Sequence, residues 1–87
     1  MKRKDGFILQ TVGADTFAVA VTPAAARLGS MIKLNPTAAY LFELLEQEHT
    51  EEECVAAILT RYGIPREVAE RDVHLFLTKL SEAGLLA

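Results

Sequence analysis

At 87 residues, 51% of them apolar and 24% charged, the chain has the composition of one folded domain with a real but thin core, which excludes a disordered polymer. A formal net charge of −3 argues against long-range attraction to nucleic acid or to an anionic membrane. The single cysteine excludes an internal disulfide and fits a reducing, cytoplasmic setting, and no apolar run is long enough for a signal peptide or a membrane helix.

The chain opens on Met1–Gly6, MKRKDG, which reads as a frayed basic tail. Phe7–Val12 is rich in β-formers. Gly13-Ala14-Asp15 makes a tight connection, and Thr16–Thr22 is the clearest strand, so the two form a hairpin. On that strand Phe17, Val19 and Val21 share one face and Thr16, Ala18, Ala20 and Thr22 the other. The large face is expected to meet the helices and the small face to stay wet. Pro23 ends ladder pairing, and Pro23–Ser30 reads as a loop with one irregular turn of helix through its alanines.

Met31–Leu34 is a short third strand, and the simplest meander places it at the sheet's edge. Asn35 then caps a helix whose first position is Pro36, so the strand ends where the helix begins. This helix is expected over Pro36–Glu48, turning Ala38, Leu41, Leu44 and Leu45 inward, with Tyr40 and Phe42 as packing residues. Thr50 and Glu53 have the spacing of a capping box and start a second helix, Glu51–Tyr62, with Val55, Ile58, Leu59 and Tyr62 as its inner stripe. Gly63 ends it and Pro65 prevents resumption. A third helix, Arg66–Ala83, carries Val73, Phe76, Leu77 and Leu80 on one face, and Leu85 and Leu86 are expected to fold back over that face. Strands followed by helices make an α+β fold: one domain with a three-stranded antiparallel sheet, then three helices, the last two arranged like a winged helix-turn-helix.

Catalytic chemistry has no foothold in this pattern. His49 and His74 lack a second ligand at metal spacing and read as solvated. Cys54, behind three glutamates, reads as a small packing residue. No triad, metal motif or glycine-rich phosphate loop is present, so neither an enzyme nor a cofactor is expected. DNA binding is the alternative that the helix-turn-helix arrangement raises. The would-be recognition helix sets Arg66, Arg71 and Lys79 against Glu67, Glu70, Asp72 and Glu82, a balance that repels phosphates.

Several ordered markers give the chain a family likeness: Gly6-Phe7-Ile8-Leu9, Met31-Ile32-Lys33-Leu34-Asn35-Pro36-Thr37, Leu41–Leu45, Thr50-x-x-Glu53, Tyr62-Gly63, Asp72-Val73-x-x-Phe76-Leu77-x-x-Leu80 and Gly84-Leu85-Leu86. From Gly6 to Leu86 the sequence resembles the PqqD-like family, the peptide-binding modules known as RiPP recognition elements. The resemblance implies a non-catalytic chaperone that binds the leader segment of a ribosomally made precursor peptide. It also implies a modifying enzyme as second partner, a radical-SAM enzyme by first expectation. In such modules the leader adds a fourth strand to the third and lies against the last helix. Carried over, that places the peptide on Met31, Ile32, Lys33 and Leu34, and against Val68, Arg71, Asp72, Leu75 and Lys79.

The residues support this independently. An unpaired strand edge offers the N–H and C=O groups that β-augmentation requires. Leu75 lies off the Val73/Phe76/Leu80 line and is expected to be partly exposed beside that edge. Ile32→Pro is expected to abolish peptide binding with much of the fold intact, provided that the Ile32 N–H faces outward. A free edge can also pair with another copy, so a homodimer is possible.

Overall fold

The computed structural model describes all of residues 1–87. The element order is β1 (Phe7–Val12), β2 (Asp15–Ala20), α1 (Pro23–Ala26), β3 (Met31–Leu34), α2 (Pro36–Leu44), α3 (Glu51–Tyr62) and α4 (Arg66–Glu82). The sheet runs β1-β2-β3 with both pairings antiparallel, so β3 is an edge strand as expected. One turn of helix, α1, sits within the Pro23–Ser30 segment, its first-turn Ala25 N–H donating to Thr22 Oγ1 at 3.1 Å.

The hairpin register follows from its turn. Val12 pairs with Asp15, which leaves Gly13-Ala14 as a two-residue connection. Gly13 has φ +63° and no non-glycine residue has a positive φ, the signature of a type II′ turn. From that closing pair, Phe7 and Leu9 fall opposite Ala20 and Ala18.

This register reverses the expectation for β2. Ala18 is fully buried, whereas Phe17 and Val19 are only half-buried and Val21 is exposed. The small face meets the helices because α2 and α1 lie against β2, and alanine lets a helix approach closely. Against the sheet, the large core residues are instead Phe7 and Leu34 on the outer strands and Leu41, Phe42 and Leu45 in and just after α2, while α3 and α4 add Val55, Ile58, Val73, Leu77 and Leu80. Phe7 and Phe42 meet edge to face, ring centroids 6.0 Å apart.

Local chemistry explains the helix ends. Asn35 Oδ1 accepts from Ala38 N–H at 2.8 Å, and Pro36 occupies the first position of α2. α2 stops at Leu44, short of the expected Glu48. There the chain tightens, with Glu46 N–H bonding Glu43 C=O and Gln47 N–H bonding Leu44 C=O, three residues back. The α3 capping box is complete: Glu53 N–H donates to Thr50 Oγ1 and Thr50 N–H donates to Glu53 Oε1. That backbone donor holds the Glu53 carboxyl below its usual range. Tyr40 packs edge to face on Tyr62, under the Arg61 guanidinium.

The N-terminal segment is not a frayed tail. Arg3 N–H donates to Leu45 C=O at 2.9 Å, Lys4 N–H to Leu85 C=O at 2.7 Å and Ala87 N–H to Lys2 C=O at 2.7 Å. Arg3 and Leu86 form a β-bridge, and the Arg3 side chain is buried. The two ends of the chain clasp each other, and Leu85 is buried under that clasp, folded back as expected.

Gly6 marks where the tail enters β1. It has φ +97°, and a Cβ built there would lie 2.5 Å from Thr22 Oγ1 and 2.9 Å from Ala25 Cβ. Gly6→Ala is therefore expected to destabilise the protein by about 2–3 kcal/mol, combining backbone strain with displacement of the α1 cap. Gly13→Ala, at φ +63° with no atom near its would-be Cβ, should cost only about 1–2 kcal/mol. Paired thermal melts check the ranking.

Candidate functional site

An apolar cleft of about 540 Å³ runs along the free side of β3. Its walls are β3, the first turn of α2, the C-terminal half of α4 and Leu28 from the loop before β3. Leu34, Leu41, Leu80 and Leu85 form a buried floor. Leu75 stands at the rim, 52% exposed, as expected of a large apolar residue off the core stripe. The corner Leu34-Asn35-Pro36 explains why α2 contributes: a helix that starts with no slack after the strand must put its first turn beside the strand's end.

The ladder determines which backbone groups are free. Ala20 N–H donates to Ser30 C=O at 3.0 Å. Antiparallel bonding alternates, so Ser30, Ile32 and Leu34 turn their backbone groups toward Ala20, Ala18 and Thr16. The other side of β2 agrees, since Val21 N–H donates to Gly6 C=O and the odd-numbered residues of β2 serve β1. Met31 and Lys33 are left with N–H and C=O groups pointing away from the sheet. The free edge is thus two alternate residues rather than four consecutive ones. The Ile32 N–H faces inward, which removes the condition on which the Ile32→Pro expectation depended.

Of the nine residues expected at a site, Ile32, Lys33, Leu34, Asp72, Leu75 and Lys79 line the cleft. Met31 does not line it; its side chain is exposed on the opposite face of the sheet. Val68 and Arg71 lie outside it. The residues of α4 and its C-cap that do line it are Asp72, Leu75, Phe76, Lys79, Leu80 and Ala83, a continuous stripe at helical spacing. The stripe sits about one turn further toward the C-terminus than expected. Phe76 and Leu80 read as core from their periodicity alone, Asn35 as a helix cap and Ala38 as a packing residue, and Thr37 gave no local sign of a place in the cleft.

The charges around the cleft are sparse. Asp72 Oδ1 is 3.6 Å from Arg71 Nε, and the Lys33 ammonium is 3.5 Å from Asp15 Oδ1 on the outer face of the sheet. Lys79 is exposed at the rim. Apolar contact and main-chain bonding therefore dominate what this cleft can do. Cys54 is fully buried within the core, and burial pushes its thiol pKa up, which suits packing rather than nucleophilic chemistry. His74 Nδ1 lies 3.4 Å from Glu51 Oε2 on the exposed side of α4, and His49 contacts Gln47 C=O at 3.1 Å. No three His, Cys, Asp or Glu residues converge as a metal site would require, and no helix is long and apolar enough to cross a membrane.

A search of curated proteins returns no match. Among solved structures, the chain is similar to TbiB1 in complex with the TbiA(beta) leader peptide, with a TM-score of 0.73 and 27% identity over 99% of this chain and 94% of that one. It shares its fold with lasso peptide synthetase B1 complexed with the leader peptide, at a TM-score of 0.70 and 23% identity over 97% and 93% of the two chains. The family described as Coenzyme PQQ synthesis protein D (PqqD) matches residues 8–86, nearly the whole length, and the chain belongs to that family.

Proposed function

We propose that this protein is a non-catalytic chaperone that binds the leader segment of a ribosomally made precursor peptide and presents it to a modifying enzyme. The leader adds a fourth strand to the sheet, pairing with the outward N–H and C=O groups of Met31 and Lys33. Every second leader side chain then enters the cleft between β3 and α4. The observation that carries this reading is the coincidence of a free strand edge with an apolar trough alongside it. The likeness to TbiB1, itself bound to a leader peptide, supports it. The family resemblance favours a radical-SAM enzyme as the recipient, working in the cytoplasm. An empty β3 edge could pair with that of a second copy, so a homodimer in the absence of peptide belongs to the same reading.

Titration with a synthetic leader peptide, from the short precursor gene that this reading expects beside this one, tests it. Amides of Met31, Lys33 and the Asp72–Ala83 stretch of α4 should shift in NMR spectra. Leu75→Asp should weaken binding by roughly tenfold or more, the equivalent of losing one apolar anchor of about 1.5 kcal/mol. Because Leu75 is exposed, Tm should stay within about 4 °C of the parent value, as for other surface substitutions of small effect. Shifts confined to other surfaces, or a Leu75→Asp protein that binds like the parent, would remove the cleft model.

A further inference from the structure

Four of the six large apolar residues that the fold leaves exposed share one surface, the face of the sheet turned away from the core. They are Ile8, Val12, Val21 and Met31. Ile8, Val19 and Met31 form one row across all three strands, and Gln10, Phe17 and Lys33 form the next. Val21 continues the middle line just beyond β2. Ile8 is 50% exposed, and Met31 and Val21 are each 56% exposed. Phe17 and Val19, half-buried by these neighbours, fill the centre. A polar rim closes one end, where Lys33 meets Asp15.

Size and continuity indicate what covers this face. Three strands about 4.8 Å apart, each at most six residues long, present roughly 300 Å² in projection. A stable interface takes about 800 Å² from each partner, so the empty three-stranded face is too small to hold either a second copy or an enzyme tightly by itself. Continuity points elsewhere, because Met31 belongs both to this face and to the free edge. A peptide strand paired with Met31 and Lys33 places every second side chain on the same outer surface. Binding thereby widens the apolar face from three strands to four and gives it peptide-specific chemistry.

We propose that the outer face of the sheet is the docking surface for the enzyme that modifies the bound peptide, and that the enzyme meets protein and peptide side by side on one four-stranded surface. This rests on the peptide-binding reading above. Docking is stronger to the loaded protein than to the empty one, and by linkage the enzyme tightens the hold on the peptide by the same factor.

The test uses the full chain in the cells that make its precursor, with photoreactive benzoylphenylalanine in place of Val19 or, separately, of Leu75. Position 75 should crosslink to the precursor. Position 19 should crosslink to the modifying enzyme, and only when the precursor is expressed. A double variant, Ile8→Lys with Val19→Glu, places opposite charges directly across β1 and β2, so the sheet retains a favourable pair. Its affinity for a fluorescent leader peptide should stay within twofold of the parent, while conversion of the precursor by the purified enzyme falls at least tenfold. The proposal is overturned if position 19 captures a second copy or nothing while position 75 captures the precursor. Unchanged conversion by the double variant overturns it equally. Failure at position 75 instead removes the peptide-binding reading, and this inference with it.

Discussion

Lys33→Pro is expected to weaken leader-peptide binding by at least roughly tenfold in a protein that still folds, whereas Ile32→Pro is expected to unfold it. The two residues are neighbours on one edge strand, but their N–H groups point in opposite directions. The Ile32 N–H lies within the ladder toward Ala18, as the Ala20–Ser30 bond and the register require. Proline there removes a ladder bond, leaves an acceptor on β2 unpaired and strips a half-buried side chain from the cleft. Together these losses amount to about 3–5 kcal/mol. A domain of this size has a total stability of roughly 4–13 kcal/mol, so the variant should be largely unfolded or close to it.

The Lys33 N–H, by contrast, has no partner in the sheet, and proline is tolerated at an edge on that side. Its side chain contributes only an exposed ion pair to Asp15, worth at most about 1 kcal/mol. What Lys33→Pro removes is one main-chain bond to the incoming strand, and its ring blocks the approach of that strand. Affinity should fall by at least roughly tenfold, beyond the ~0.5–1.5 kcal/mol of a single bond, since the neighbouring pairings share the same register. Lys33→Ala separates main chain from side chain and should bind within a few-fold of the parent. Circular dichroism melts and fluorescence anisotropy with the leader peptide measure both quantities. A Lys33→Pro protein that is folded and binds normally would rule out strand addition at β3.

The sequence is most legible where a residue's local chemistry and its tertiary role coincide. Asn35-Pro36, Thr50 with Glu53, and Gly63 fix helix ends through bonds that span only a few residues, and each end falls where that chemistry puts it. The β3 edge follows from topology, and Leu75 from its place off the core stripe. β2 misleads because both of its faces are apolar, so alternation alone cannot choose between them. The missing information lies in the partner strand: the two-residue turn puts Ala18 on the same side as Leu9 and Phe7. The lining of the cleft is hard to read for a similar reason. Periodicity gives the stripe on α4, but only tertiary packing decides which turns of that stripe reach the cleft, and Val68 and Arg71 are not among its lining residues.

The N-terminal tail is illegible for a different reason, and it carries the second large effect. α2 ends without a basic residue in its last turn, and Glu46 follows it closely. A helix C-terminus of this kind leaves carbonyls unpaired and favours a nearby cation. Arg3 supplies both needs from the far end of the sequence. Its Nε–H donates to Phe42 C=O at 2.9 Å, and its guanidinium lies 4.5 Å from the centroid of the Phe42 ring. At 7% exposure it is the one charged residue in the buried set. Arg3→Ala should therefore cost about 3 kcal/mol, from a charge-assisted bond, a partly desolvated cation–π contact and an orphaned helix carbonyl. For a chain of this length that lowers Tm by roughly 12–24 °C. Arg3→Lys keeps the charge but not the planar fork that bonds and stacks at once, and should recover less than half of the loss.

Removing Met1–Asp5 altogether should do more than Arg3→Ala, because it also breaks the bond from Lys4 N–H to Leu85 C=O. Leu85 forms part of the cleft floor, so this truncation should weaken leader binding as well as stability, while Arg3→Ala should affect stability far more than binding. Melts and peptide titrations on the two proteins separate these roles. A truncated protein with the parent's Tm would show that the clasp holds nothing in place.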